Sequence, residues 1–142
     1  MDEKLTNCIS RKDTNYIPIW FMRQAGRYLP EFMEIRKKNQ NFINLCLNID
    51  LVTEISLQPL NRFDLDAAII FSDILMIPYG LGQDVRFEKN FGPILGSCNL
   101  DKIIKKDAID FIQKVLPVYK AINKTKKELS NKNLIGFVGA PW

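Results

Sequence analysis

Two arginines four residues apart, Arg23 and Arg27, stand in the stretch "PIWFMRQAGRYLPEF" (residues 18–32), with Gln24, Ala25 and Gly26 between them. A guanidinium is a permanently charged planar fork of N–H donors whose geometry matches a carboxylate or a phosphate. Two such forks on one short segment repel each other unless an anion neutralises them. On a regular helix the i, i+4 arrangement would cost roughly 0.2–0.5 kcal/mol. Gly26 weighs against a regular helix and for a loop that bends sharply or lets another group come close. The pair then has two explanations: surface pairing with Glu31 or Glu34, or capture of an anion from outside.

The second candidate is Asp73, in "FSDIL". It follows the apolar run of residues 67–71 and so falls at the carboxyl end of a strand, where ligands bind in α/β sheets and barrels. The competing explanation is a helix cap, since Ser72 and Asp73 both cap well. The third is "GFVGAPW" (residues 136–142), whose two glycines and proline at a strand end suggest backbone packed tightly beside a cavity. It is no phosphate loop, because no lysine and serine or threonine follow.

The elements that must position these residues are legible from period and punctuation. Residues 17–22 read as a short apolar strand entered through Pro18. "PEFMEIRKK" (30–38) reads as a helix with proline in its first turn, acid early and base late. Asp50 can cap a helix running to about Arg62, with Leu51, Ile55, Leu57 and Leu60 inward and Pro59 kinking the last turn. The run 67–71 has the unbroken apolarity of a strand buried on both faces, which points to a parallel sheet. Residues 85–95 alternate and contain Asn90 and Gly92, a small hairpin. Asp107 caps the longest helix, to about Leu129, with an apolar stripe of Ala108, Ile112, Val115, Tyr119 and Ile122. Pro117 should bend it. After "SNKN" comes a last buried strand, "LIGFVGAPW".

Strand, helix, strand, helix, strand is the grammar of an α/β fold with right-handed crossovers. A parallel sheet that stops on a hydrophobic strand leaves apolar surface and an edge uncovered. Residues 1–142 therefore read as one domain's front part.

Composition narrows the chemistry. The 142 residues are 46% hydrophobic and 25% charged, with a formal charge of +4. That excess suits anionic ligands and is too small to diagnose nucleic acid. Nine of the 14 lysines lie from Lys102 to Lys132, the pattern of a solvated helix face. There is no histidine, hence no histidine base for a triad. Cys8, Cys46 and Cys98 are too scattered for a disulfide framework or a zinc site, which fits a reducing cytoplasm. The charged start "MDEKLTNCISRKDTNY" lacks the apolar core of a signal peptide. No run approaches the ~20 apolar residues that span a bilayer.

"PIWFMRQAGRYLPEF" closely resembles the N-terminal signature of the uroporphyrinogen decarboxylase family. "LQPLNRFDLDAAIIFSDILMIPYGLG" (57–82) resembles its second signature region, and "LIGFVGAPW" its third strand. The likeness runs in order from about Asn15 to Trp142. It implies the N-terminal part of a (β/α)8 TIM barrel, about three of eight strands, from a cofactor-free, metal-free homodimeric enzyme. Such enzymes convert the four acetate arms of uroporphyrinogen to methyls, giving coproporphyrinogen. The resemblance assigns Arg23, Gln24, Ala25, Gly26 and Arg27 to the substrate-binding loop, Arg23 doubling as a catalytic group. It makes Asp73 the central acid that accepts from the pyrrole N–H groups. The chain departs from the family in length, since a complete barrel takes roughly 250 residues. In the family a substrate-binding tyrosine and serine, and a late histidine, lie beyond residue 142, so these residues alone are expected to be inactive and aggregation-prone. A methyltransferase of the same barrel superfamily is an alternative. A basic nucleic-acid module is another, opposed by the lack of aromatic residues among the lysines.

Overall fold

The computed structural model describes residues 4–10, 15–88, 91–105 and 107–139. In chain order its elements are α1 (Lys4–Ile9), α2 (Pro30–Lys38), α3 (Phe42–Cys46), α4 (Ile49–Arg62), β1 (Ala67–Ile69), α5 (Met76–Gly80), β2 (Val85–Glu88), β3 (Gly92–Leu95), α6 (Leu100–Ile104), α7 (Ala108–Glu128) and β4 (Asn133–Ile135). The mixed α/β class expected from the pattern is what forms. β1 and β4 pair in parallel, Ala67 opposite Asn133 and Ile69 opposite Ile135. β2 and β3 form the antiparallel hairpin, Val85 opposite Leu95, with Gly92 supplying a φ of 83° after the turn.

Capping chemistry sets the helix starts. α2 begins at Pro30, whose missing N–H is no loss in a first turn, with Glu31 early and Arg36, Lys37 and Lys38 late. Asp107 caps α7, its carboxylate accepting from the Ile109 N–H at 3.0 Å. The cap of α4 is Asn48, not Asp50: the Asn48 amide oxygen accepts from the Leu51 N–H at 3.1 Å. Asp50 lies within the first turn and pairs instead with Lys124 of α7 at 2.6 Å. Asparagine caps as well as aspartate, so the helix starts at the first competent residue.

α4 and α7 pack on each other and on β1 and β4. Their shared face uses smaller residues than the sequence stripe suggested. On α7 it is Val115, Ala121 and Thr125 that are buried, while Ile112 and Tyr119 remain about half exposed. Ala121 and Thr125 let the helices approach closely enough for the Thr125 and Thr53 hydroxyls to meet at 3.3 Å. Large apolar residues mark a stripe in sequence, but the closest helix contact selects small ones.

Two expected strands are shorter or missing. The last runs only over Asn133–Ile135, and residues 136–139 leave the sheet, with Phe137 and Val138 exposed. Residues 17–22 form no strand. Ile19 does meet the head of β1: its N–H donates to the Asp66 carboxylate at 2.8 Å and its carbonyl accepts from the Asp66 N–H at 2.8 Å. Beyond that point the next positions on β1 are taken by a side chain, so no ladder follows. Ile17 and Met22 are left 86% and 79% exposed. Two parallel strands, rather than three, are therefore formed among the described residues.

Phe71, two residues past the end of β1, packs against all three buried clusters of the core. Its ring meets Phe32 and Phe42 edge-on at 5.8 and 5.9 Å. Its N–H donates to the Ser56 hydroxyl at 2.8 Å. The same packing buries Cys46, whose thiol is pushed up to about 12, mainly by burial and then by the negative charge of Asp73. A thiol that stays protonated and covered is unreactive. Cys8 and Cys98, both exposed, should react with a disulfide reagent within seconds to minutes, and Cys46 only on unfolding. Three thiols titrating together in the native chain would contradict this packing.

Candidate functional site

The arginine segment is a loop, as Gly26 suggested, though not for want of a positive φ: Gly26 is absent from the residues with that backbone. A Cβ placed on Gly26 would touch only the Tyr28 ring, at an ordinary 3.7 Å. The glycine is therefore not required by the bend. What it leaves is space beside the backbone.

The loop is held to β1 by Gln24. Its side-chain N–H donates to the Ala67 carbonyl at 2.8 Å, and its amide oxygen accepts from the Ile69 N–H at 3.0 Å. Gln24 is 4% exposed, so its carboxamide is turned into the protein and not outward, where a substrate-contacting residue would face. With Ile19 at the head of β1 and Gln24 farther along, the segment runs in the same direction as the strand. It carries the loop toward the end that Asp73 follows. Ala25 packs partly against the cluster of Leu29, Phe32 and Ile55. Arg23 and Arg27 are exposed.

The surface-pairing explanation for the arginines does not hold. Glu31 is engaged bidentately by Arg62, at 2.7 and 3.0 Å, and that hydrogen bonding holds its carboxyl below the usual range. Among the described residues neither Arg23 nor Arg27 has a carboxylate partner. Two guanidinium groups are thus presented to solvent without a counter-charge from the described residues.

Asp73 is half-buried. One carboxylate oxygen accepts from the Leu75 N–H at 2.8 Å, and its carbonyl accepts from the Met76 N–H at 3.1 Å. The turn-forming role is therefore real, and it fixes the direction of the carboxylate at the exit of β1. Gly139, beyond β4, lies beside Ile74, where a Cβ would stand at 3.5 Å. The exits of the two parallel strands thus meet next to Asp73. Gly136 faces open space, contrary to the tight packing expected there. Ala140, Pro141 and Trp142 fall outside the described residues. A hollow of about 620 Å³ opens elsewhere: it is bordered by Asp50, Thr53, Glu54, Gln58 and Lys124 on the helical layer and by none of the six candidate residues.

The anchor missed in the sequence is Asp66. Its carboxylate accepts from the Ile19 N–H and pairs with Lys4 at 2.9 Å. Burial pushes its pKa up, but the Ile19 hydrogen bond and then Lys4 outweigh it, and the carboxyl rests below its ordinary value.

The family model described as uroporphyrinogen decarboxylase (URO-D) matches residues 1–142. The chain belongs to the uroporphyrinogen decarboxylase family. It is 48% identical over 133 residues to a protein of that name from Rickettsia felis, covering 93% of this chain and 38% of the relative. A Campylobacter jejuni relative of the same name is 50% identical over 135 residues, 93% of this chain and 40% of the other. A Brucella ovis relative is 43% identical over 143 residues, 100% and 42%. The chain therefore spans about two-fifths of the length of the curated relatives it matches. Among the described residues no helix is long and apolar enough to cross a membrane.

A carboxylate whose folded pKa is depressed adds stability above its ordinary value and loses it as the pH falls through the depressed one. Asp66→Asn should lower stability at neutral pH by roughly 1–3 kcal/mol, the scale of a charge-assisted hydrogen bond. Its urea midpoint should also fall less than the wild type's between about pH 6 and about pH 3. Parallel pH curves for the two proteins would remove Asp66 as the clasp.

Proposed function

We propose that this chain supplies the substrate-binding front of a uroporphyrinogen decarboxylase. Supplemented by the remaining three-fifths of its relatives' length, it would remove carbon dioxide from the four acetate arms of uroporphyrinogen to give coproporphyrinogen. The observation that carries the reading is the arginine couple, Arg23 and Arg27, unpaired among the described residues and on a loop pinned to the strand that leads to Asp73. An octacarboxylate supplies anions for those charges.

The chemistry needs a sink for an electron pair. Protonation of a pyrrole ring carbon gives a cationic, imine-like system. The pair left by departing carbon dioxide flows into that ring, a proton adds at the exocyclic carbon to complete the methyl, and loss of the ring-carbon proton restores the pyrrole. Each arm thus takes up one proton and releases one carbon dioxide. Asp73, held by its own turn, is a fixed negative charge for the pyrrole N–H groups. It stabilises the positive charge as it develops. Arg23 and Arg27 orient the acetate and neighbouring carboxylates, Arg23 being the nearer to the reacting arm in this assignment. Ala25 and Gly26 leave the backbone approachable.

In this reading β1 and β4 are consecutive strands of a (β/α)8 barrel, and residues 17–22 join as a third once the missing strands close it. The exposed Ile17, Phe21, Met22, Phe137 and Val138 support it, since such side chains are buried when a sheet is completed. The closed enzyme would act as a homodimer in the cytoplasm.

The 142 residues alone should show no turnover. In a full-length protein, with the missing part supplied by the Rickettsia felis relative, Arg27→Ala should raise KM about tenfold or more with a smaller effect on kcat. Asp73→Asn should lower kcat by roughly 10²–10³-fold, the scale for removing one preorganised charge or donor. Wild-type kinetics for Asp73→Asn would end the proposed role of that carboxylate.

A further inference from the structure

Gln24 lies inside the arginine loop, yet nothing about its geometry suits contact with a ligand. Both polar atoms of its carboxamide are used, at 2.8 and 3.0 Å, on the backbone of β1. The residues it engages, Ala67 and Ile69, are two apart on one edge of the strand, while β4 occupies the other edge through bonds such as Ile70 N–H to the Ile135 carbonyl at 3.0 Å. A primary amide carries one donor and one acceptor side by side, the same pair that a neighbouring strand would offer. Among side chains of this length only glutamine offers a strong pair: ionised glutamate lacks the donor, and methionine has no donor and only a weakly accepting sulfur.

The loop is pegged at three further points. The Gln24 carbonyl accepts from the Tyr28 hydroxyl. The Gly26 carbonyl accepts from the Leu29 N–H at 3.0 Å, and Leu29 itself is 1% exposed in the core. The fixed points are thus 24, 26, 28 and 29; Arg23 directly precedes the first, and Arg27 lies between 26 and 28. We propose that Gln24 is a positioning residue: its carboxamide stands in for a strand on β1 and fixes the height and spacing at which Arg23 and Arg27 meet a polycarboxylate. This rests on the reading of those arginines as carboxylate ligands given above. A loop ordered beforehand loses less conformational entropy on binding than one that must be ordered by the ligand.

The test uses the 142-residue chain with uroporphyrin, an octacarboxylic porphyrin, followed by its fluorescence, together with amide hydrogen exchange measured without ligand. In the wild type the Ile69 amide should be protected. Gln24→Met, similar in length, should expose the Ile69 amide and leave Ile70, bonded toward β4, protected. The same variant should weaken uroporphyrin binding by about tenfold. In an Arg23→Ala, Arg27→Ala background the substitution at 24 should have no further effect on binding, because it acts only through those side chains. Unchanged Ile69 exchange in Gln24→Met overturns the anchor. Lost protection with unchanged affinity overturns the positioning role, as does an equal loss of affinity in the arginine-free background. Global unfolding of Gln24→Met and of Gln24→Ala would make Gln24 a fold determinant and also refute the proposal. If the wild type does not bind, or binds as the arginine-free chain does, the carboxylate-binding reading fails, and the exchange result shows separately whether the anchor stands.

Discussion

A buried strand must have its backbone hydrogen bonds met on both edges, and in this chain that requirement governs the arrangement around β1. Ala67 and Ala68 are fully buried, and an unpaired peptide group there would cost about 1–3 kcal/mol. β4 satisfies one edge. On the other, Ile19 closes the head of the strand and the Gln24 carboxamide closes its middle. The arginine loop is consequently a product of strand satisfaction. The groups that complete β1 are the same groups that place Arg23 and Arg27 beside it.

Phe71 extends this constraint toward Asp73. Its ring joins the clusters built from α2, α3, α4 and α7, and the Ser56 hydroxyl receives its N–H while donating to the Val52 carbonyl at 2.7 Å. The strand exit is thus clamped by packing on several sides before the chain turns at Asp73. A carboxylate two residues beyond such a clamp has little freedom. Electrostatic stabilisation of a developing charge depends on that rigidity, because a group that must reorganise during the reaction contributes less.

Much of this was legible in the sequence, for identifiable reasons. The hairpin, α2 and the Asp107 cap are set by local signals, and those signals were strong. The run 67–71 announced a buried strand because nothing polar interrupts it. Where the reading went astray, a tertiary choice decided between local equivalents. Asn48 and Asp50 cap equally well, and the supply of a partner at Lys124 drew Asp50 elsewhere. The α7 stripe favoured large residues, whereas contact with α4 selected Ala121 and Thr125. Of the site, the arginine pair and Asp73 stood out by type and spacing. The family resemblance places Gln24 in the substrate-binding loop, and local sequence is silent on where its side chain points. Only the position of β1 shows that it faces inward. Asp66 gave no signal, since its partners are a backbone N–H and Lys4, 62 positions earlier in the chain.

The missing strand at 17–22 follows from the same physics. A strand of apolar residues is stable when both its edges and both its faces are occupied. Here one edge meets β1 only at Ile19, and the other edge has no neighbour among the described residues. Phe21 and Met22, which an adjoining layer would bury, remain 59% and 79% exposed. Backbone pairing alone contributes too little to hold such a segment extended against the entropy it gives up. Gln24 is the compromise: one buried side chain satisfies two backbone groups at little entropic cost, where a ladder would have to order several residues. The arginine loop can therefore be seated on β1 before the sheet around it is complete.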